Sequence, residues 1–165
     1  MFVKKTLYSI LAISLLALTS HAMAEKSVKT DDGYVIHYNT VNTGFLTPEN
    51  ARIYQIKRSK NRAMLLISVR KGDSEKPKQT QAVKAKVMVK AMNLSKQEKG
   101  LEMREVVEGS ADTKAIYYVD DFSISNEETI KFIIQVDIKV DSENRGKVHK
   151  KVPPFDFSQQ FFVDK

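Results

Sequence analysis

Hydrophobic and polar residues alternate along most of the chain beyond residue 30, and this alternation predicts strands. Successive side chains of a strand point to opposite faces of a sheet, so a strand with one apolar face has a period of two. The longest alternating stripe comprises Ile130, Phe132, Ile134, Val136, Ile138 and Val140. The opposite face of this segment is partly apolar as well, because Ile133 lies on it. Segment 129–140 is therefore predicted to be a central strand.

Six shorter segments also have strand character, namely residues 34–38, 64–69, 83–90, 101–104, 116–122 and 155–157. Turn-forming residues separate the segments at positions 31–33, 71–73, 99–100, 108–110 and 144–146. Pro153 and Pro154 interrupt pairing just before the last strand. The pattern predicts an all-β fold, an immunoglobulin-like antiparallel β-sandwich of about seven strands. A barrel is the alternative architecture.

One segment departs from the strand pattern and predicts a short helix. Thr47 is a suitable N-cap, Pro48 suits the first helical position, and Glu49 lies next to the positive end of the helix dipole. Apolar residues then recur at helical spacing as far as Ile56. We expect a helix from Pro48 to Ile56, between the first two predicted strands.

The N-terminal residues have the features of a secretory signal peptide. Lys4-Lys5 precedes an uncharged apolar run over residues 7–18, and Ala22 and Ala24 are small residues at the positions that signal peptidase reads. We therefore expect cleavage before Glu25. The apolar run is shorter than the roughly 20 residues that span a bilayer as a helix.

Cleavage there divides the chain into a signal peptide, 1–24, and one β-sandwich domain, 25–165. No later segment is apolar for long enough to cross a membrane. The chain has no cysteine and hence no disulfide, and a domain of this size does not need one. The sequence predicts a periplasmic monomer with no membrane span after the signal peptide is removed.

The charge of the chain is unevenly distributed. Lysine and arginine number 27 against 20 aspartates and glutamates, for a formal net charge of +7 at pH 7. Residues 57–90 hold eleven of the basic residues and only two acids, Asp73 and Glu75, whereas acids outnumber bases in the rest. This concentration predicts attraction to an anionic partner. The alternative is that the lysines are solvated and guard a sheet edge against aggregation.

Several short motifs resemble those of a family of small secreted proteobacterial proteins, domain of unknown function 4426 (DUF4426). They are Phe45 to Glu49, Arg58-Ser59-Lys60, Arg104-Glu105-Val106, Ala115 to Tyr118 and Gln160 to Phe162. The resemblance covers most of the mature chain, and Arg58-Ser59-Lys60 is its most specific part. It implies a periplasmic β-sandwich. It implies no activity and no site residues.

The residues that catalysis commonly uses are sparse. The chain has no cysteine and no serine in a Gly-x-Ser-x-Gly turn, and His37 and His149 are the only histidines after the signal peptide. Asp120-Asp121 and Glu127-Glu128 are sequence neighbours that point to opposite faces of a strand, so neither forms an acid–base pair. We expect no enzyme and no cofactor. A metal-binding protein or a hydrolase is a weaker alternative.

The candidate binding residues are basic or aromatic. They are Arg58, Lys60 and Arg62 in one loop, Lys84, Lys86 and Lys90 on one face of a strand, and the adjacent Tyr117 and Tyr118, of which one must face outward. We expect a non-catalytic interaction module for another envelope protein. The alternative is a binder of anionic envelope polymer through the basic face. Nucleic acid is not an expected partner, because no aromatic residues are interleaved with the lysines for base stacking.

Overall fold

A computed structural model describes residues 26–72, 80–110, 114–142 and 146–163. The predicted signal peptide and its cleavage site before Glu25 lie outside these residues. Residues 144–145 of the predicted turn at 144–146, Asp73 of the predicted turn at 71–73 and Glu75 also lie outside them.

The described chain is built almost entirely of strands. They are β1 (Lys26–Lys29), β2 (Tyr34–Asn42), β3 (Arg62–Lys71), β4 (Gln81–Ala82), β5 (Ala85–Asn93), β6 (Glu98–Leu101), β7 (Arg104–Glu108), β8 (Ala115–Ser123), β9 (Glu128–Ser142), β10 (Gly146–Lys151) and β11 (Phe155–Phe161). A 3-10 turn (Thr43–Phe45) and one helix, α1 (Pro48–Ile53), separate β2 from β3.

The strands form two antiparallel sheets that face each other. Sheet A has the order β1-β2-β3-β8-β7, with the short β4 paired to β3. Sheet B has the order β10-β9-β5-β6, and β11 pairs with β9 on the side of β10, beyond the Pro153-Pro154 break. The predicted β-sandwich, its helix and the central position of β9 are confirmed. The predicted turn at Lys99-Gly100 is wrong, because both residues belong to β6. The predicted strand 101–104 is wrong for the same reason: it joins the last residue of β6 to the first residue of β7 across a break at residues 102–103.

The core lies between the two sheets. From sheet B, β9 contributes Phe132, Ile134, Val136 and Ile138, all fully buried. From sheet A, β2 and β3 contribute fully buried residues such as Ile36. Burying each such side chain stabilises the fold by about 1.5–3 kcal/mol. The Phe132 ring packs against those of three other phenylalanines, the nearest with its centroid 5.0 Å away.

Helix α1 covers part of the outer face of sheet A. Its N-cap is Thr47, whose side chain accepts a 3.2 Å hydrogen bond from the backbone N–H of Asn50. Ala51 and Ile56 pack on Met64 of β3 in a second, smaller apolar cluster. The helix ends at Ile53, earlier than predicted, because Gln55 has a left-handed backbone (φ 53°). Ile56 is buried nevertheless, as its position in the pattern predicts.

The sandwich has two ends that differ in chemistry. At one end β2 and β5 begin and β3 stops, and the chain turns at Gly33 and Gly72, both with positive φ. We call it the basic end, for the lysines described below. At the opposite end, the far end, lie α1 and the exposed rings of Phe45 and Phe162.

Candidate lysine-lined binding site

A cleft of about 600 Å³ opens between the two sheets at the basic end. Four lysines line it: Lys71, Lys84, Lys114 and Lys139. The other described residues of the lining are uncharged, namely Tyr34, Gln81, Ala82, Val83, Ile116 and Val140. We call this site the lysine cleft.

The four lysines come from four different parts of the chain. Lys71 is the last residue of β3, Lys84 directly precedes β5, Lys114 directly precedes β8, and Lys139 lies near the end of β9. All four are exposed. The backbone N–H of Lys139 donates a 2.9 Å hydrogen bond to the carbonyl of Lys84, which holds these two side by side in sheet B. The fold therefore brings the four lysines to one opening.

Within the described part of the chain, the positive charge of the cleft is only partly neutralised. Lys84 forms a 3.0 Å ion pair with Glu105 of β7, and both side chains are substantially exposed to solvent. Among the residues that the structure describes, no carboxylate lies within ion-pair distance of Lys71, Lys114 or Lys139. Unpaired ammonium groups gathered at a concave opening attract anions. The cleft therefore has the electrostatics of an anion site.

Tyr34 forms the wall of the cleft beside Lys71. Its ring is buried, and the ammonium of Lys71 lies 5.2 Å from the ring centroid. The ammonium of Lys150 lies 5.5 Å from the same ring and is also paired with Asp32. The hydrogen bond from Lys150 lowers the pKa of Asp32, which keeps this carboxylate ionised. Cation–π contacts thus fix the position of Lys71 at the mouth.

Tyr118 lies beneath Lys84 and joins the two sheets. Its side chain is buried, and its hydroxyl accepts a 2.7 Å hydrogen bond from the backbone N–H of Ala85. The same hydroxyl donates to Glu105 over 3.4 Å. Burial raises the pKa of Tyr118, and the charge of Glu105 adds to this effect. Tyr118 is therefore an internal cross-link, with Tyr117 as the outward member of the predicted tyrosine pair.

Tyr117 lies on the outer face of sheet A, half-buried against Tyr54. The two rings meet edge to face with centroids 6.5 Å apart. Burial, followed by the charge of Glu108 and a hydrogen bond to it, raises the pKa of Tyr54 to about 12. This cluster joins the end of α1 to β7 and β8, which gives Tyr117 a packing role.

The eight predicted binding residues do not form one surface. Arg58, Lys60 and Arg62 lie at the far end, whereas Lys84 lies at the basic end. Lys86 and Lys90 are exposed on the outer face of sheet B. Strand β5 is not an edge strand, since it pairs with β9 and β6, so its lysines do not guard an edge.

Two of the predicted binding residues, Arg62 and Lys90, form ion pairs outside the cleft. The Arg62 Nε donates to Asp121 Oδ2 over 2.5 Å, with both side chains mostly buried. Lys90 pairs with Glu98 over 3.1 Å at the surface. Asp120, the neighbour of Asp121, accepts a 2.9 Å hydrogen bond from the backbone N–H of Glu102. These two aspartates therefore organise strand ends internally.

The Arg58-Ser59-Lys60 segment is held in place by the buried hydroxyl of Thr43. This hydroxyl accepts a 3.1 Å hydrogen bond from the Ser59 N–H. It also lies 3.0 Å from the carbonyl oxygen of Lys57 and 3.1 Å from that of Ser59, and these two oxygens share its proton. Arg58 donates to the carbonyl of Gly44 over 3.4 Å, not to the end of α1. The segment therefore has a structural role in fixing the connection between β2 and β3.

Lys114 and Lys139 were not among the sequence candidates, and Lys71 was included only as one of the eleven basic residues of segment 57–90. Lys71 and Lys114 border turns, and Lys139 lies on the polar parity of the long β9 stripe. Each alone is an ordinary exposed lysine. The signal that unites them is the strand order, which is not visible along the chain.

The described residues offer little for metal chemistry. They contain no group of three or more histidine, cysteine, aspartate or glutamate side chains that could hold a metal ion. His149 is exposed on β10 opposite Lys139, and His37 is paired across strands with Ser68. No helix in the described part of the chain is long and apolar enough to cross a membrane.

Solved structures with similar folds were found, whereas no curated protein has a significant match. A DUF4426 family protein from Pseudomonas aeruginosa PAO1 is similar at 26% identity and a TM-score of 0.64, over 88% of this chain and all of that one. FetP from uropathogenic Escherichia coli strain F11 is similar at 11% identity and a TM-score of 0.44, over 86% of this chain and 95% of that one. A copper-bound variant of FetP has 14% identity and a TM-score of 0.43, over 86% and 90% of the two chains. At these scores the likeness to FetP carries no functional argument.

The family assignment rests on a match of the amino-acid sequence to a family model. The model of the domain of unknown function DUF4426 matches residues 28–164, which is nearly the whole predicted mature domain. The match confirms the resemblance that the short motifs carry, and it includes the lysine cleft and the Arg58-Ser59-Lys60 segment. The chain belongs to the DUF4426 family.

Proposed function

We propose that this protein is a non-catalytic binding module of the cell envelope that takes an anionic ligand in the lysine cleft. The observation that supports it is the convergence of Lys71, Lys84, Lys114 and Lys139 on one opening of about 600 Å³. Only Lys84 has an ion-pair partner among the described residues. Bringing unpaired like charges together disfavours the fold by repulsion, and a bound anion relieves that repulsion.

The periplasm is the proposed location, because residues 1–24 have the features of a signal peptide. Binding rather than catalysis is proposed because the described lining of the cleft has no carboxylate, histidine, serine or cysteine. That lining consists of the four lysines, the buried Tyr34 and five further uncharged residues. Lysine ammonium groups hold phosphate as point charges, so a phosphate-bearing ligand suits the cleft.

Isothermal titration of the mature chain with pyrophosphate tests this proposal. We expect binding that weakens as salt rises from 50 to 300 mM, conditions we choose because the Debye length falls over that range. The Lys71→Gln/Lys114→Gln double variant should bind about tenfold more weakly, as expected for the loss of two exposed charge contacts.

The matched control is Lys57→Gln/Lys99→Gln. It removes the same charge from two exposed lysines outside the cleft. If both double variants weaken binding equally, the effect is one of net charge and the cleft is not the site. Absence of pyrophosphate binding by the wild type at low salt would also contradict the proposal.

A protein partner at the far end is the second candidate function. Phe45 and Phe162 are 73% and 57% exposed, and both line a groove of about 390 Å³ between β2 and β11. Paired exposed aromatic rings are a common feature of protein-binding surfaces. Photo-crosslinkers at Phe45 and Phe162 should capture the same protein in living cells. Leu94, 81% exposed and outside the groove, is the control position.

A further inference from the structure

We infer that the ligand is a linear phosphate-bearing polymer that continues from the lysine cleft onto the outer face of sheet B, over Lys86 and Lys151. This inference rests on the proposed function, since it names the class of ligand that the same cleft would take. Three tiers of lysines carry it: Lys71 with Lys114, Lys84 with Lys139, and Lys86 with Lys151.

The register of sheet B sets the spacing between the second and third tiers. Lys86 lies opposite Asp137 on β9, and Lys151 lies opposite the same Asp137 from β10. Asp137 is two residues from Lys139 on the same strand face, a step of about 6.6 Å. Both third-tier lysines are exposed. A chain of phosphates leaving the cleft past Lys139 therefore meets a second pair of ammonium groups on its way.

The acid in the third tier does not cancel its charge. Asp137 lies between the two lysines, so the row has two positive charges and one negative. One oxygen of Asp137, Oδ1, is enclosed and has no hydrogen-bond partner. The net charge of the row therefore remains positive on the exposed side, where a polymer would lie.

The path ends after the third tier. Met88 and Gln135 form the next row and are uncharged. Beyond them, Lys90 is paired with Glu98 and Lys131 with Asp156, each over 3.1 Å. A polymer that reached these lysines would have to displace carboxylates. Three tiers thus define a site of limited length.

The tiers consist only of lysines, whose ammonium groups hold phosphate as compact point charges. An arginine would bind carboxylate and phosphate alike through two parallel hydrogen bonds. Arg70, the nearest arginine on β3, already donates to the side chain and carbonyl of Thr80. No arginine belongs to the three tiers.

The test is a chain-length series of linear phosphates on the mature protein, with pyrophosphate, triphosphate and a long polyphosphate as probes. A longer phosphate chain offers more equivalent positions for the same short contact, and this alone raises the affinity per chain in proportion to their number. We expect the affinity to rise with length by more than this statistical factor. Lys86→Gln/Lys151→Gln should lose about tenfold for the long probe and leave pyrophosphate binding unchanged. Lys90→Gln/Lys131→Gln is the control on the same sheet face and should match the wild type.

The outcomes separate this inference from the proposed function. Two outcomes overturn the polymer inference alone. In the first, pyrophosphate binds in the cleft but longer phosphates bind no more tightly; in the second, Lys86→Gln/Lys151→Gln has no effect on binding of the long probe. Absence of pyrophosphate binding by the wild-type protein overturns the proposed function. Polyglutamate of equal charge is the comparison for an acidic protein. If it binds as tightly as polyphosphate and its binding depends on the same two lysines, the surface binds an acidic protein and the inference of a phosphate polymer is overturned.

Discussion

The hydroxyl of Tyr118 in sheet A accepts a 2.7 Å hydrogen bond from the backbone N–H of Ala85 in sheet B. The bond joins the sheets directly beneath the lysine cleft, because Ala85 follows Lys84. The hydroxyl also contacts Glu105, the ion-pair partner of Lys84. One buried side chain thus holds the sheets at the spacing on which the cleft depends.

Tyr118→Phe should lower the free energy of unfolding by about 1–3 kcal/mol, because it leaves the buried N–H of Ala85 without an acceptor. Urea denaturation followed by circular dichroism measures this loss. Tyr117→Phe, on the opposite face of the same strand, is the control and should change stability by less than about 0.5 kcal/mol. Equal effects of the two substitutions would mean that the hydrogen bond to Ala85 contributes nothing specific.

The raised pKa of Tyr54 predicts a loss of stability at alkaline pH. The hydroxyl has a pKa of about 12 in the folded state and about 10 in the unfolded chain. Ionisation therefore favours the unfolded state, so the contribution of Tyr54 is fully present below about pH 10 and is lost as the pH rises towards 12. Tyr54→Phe should lose less stability than the wild type between pH 9 and 11.5, the range we choose for denaturation titrations. Parallel pH profiles would contradict the raised pKa of the Tyr54 hydroxyl.

The Arg62–Asp121 pair should be strongly coupled. The carboxylate of Asp121 is 14% exposed and the Arg62 side chain 29%, and the arginine also donates to the backbone carbonyl of Asp121. A double-mutant cycle with Arg62→Gln and Asp121→Asn should give about 1.5–3 kcal/mol of coupling, as for hydrogen bonds to charged groups.

The surface pair Lys90–Glu98 provides the comparison for that cycle. Its side chains are 64% and 51% exposed, so its coupling should be below about 1 kcal/mol. A larger coupling for the surface pair would show that burial does not set the strength of these ion pairs.

Thr43→Val should destabilise the connection between β2 and β3. Valine has nearly the shape of threonine but lacks the hydroxyl, so the Ser59 N–H loses its acceptor and the carbonyls of Lys57 and Ser59 lose the shared hydroxyl donor. We expect a loss of about 1–3 kcal/mol in the free energy of unfolding. Hydrogen exchange should show the faster opening at residues 57–60, and unchanged exchange there would refute the structural role of the segment.

The architecture could be predicted from alternation where a strand is long and buried on one face. The stripe from Ile130 to Val140 predicted β9 and its central place, and Thr47-Pro48-Glu49 predicted where α1 begins. β1, β4 and most of β6 escaped prediction because they are two to four residues long and nearly all exposed. β10 also escaped prediction, because its sequence GKVHKK has no apolar alternation. Such strands form because a neighbour supplies their hydrogen bonds, and that pairing is long-range.

The candidate site could not be predicted for a related reason. The sequence shows that basic residues concentrate between 57 and 90, but strand direction sends them to opposite ends of the sandwich. Arg62 begins β3 and Lys71 ends it, so the two lie a whole strand apart. Lys114 and Lys139 come from outside that region and complete the cleft. A cluster of basic residues in the sequence therefore does not show which of them lie together on the folded surface.

Localisation of the bound anion tests the central claim most directly. Pyrophosphate would be titrated into the ¹⁵N-labelled mature chain, and backbone amide shifts would be followed in two-dimensional NMR spectra. The account predicts saturable shifts at Val83, Lys84, Ile116 and Lys139, with Asn42 at the far end unmoved. Shifts centred on the far end, or equally small shifts at lysines over the whole surface, would contradict the lysine cleft as the binding site.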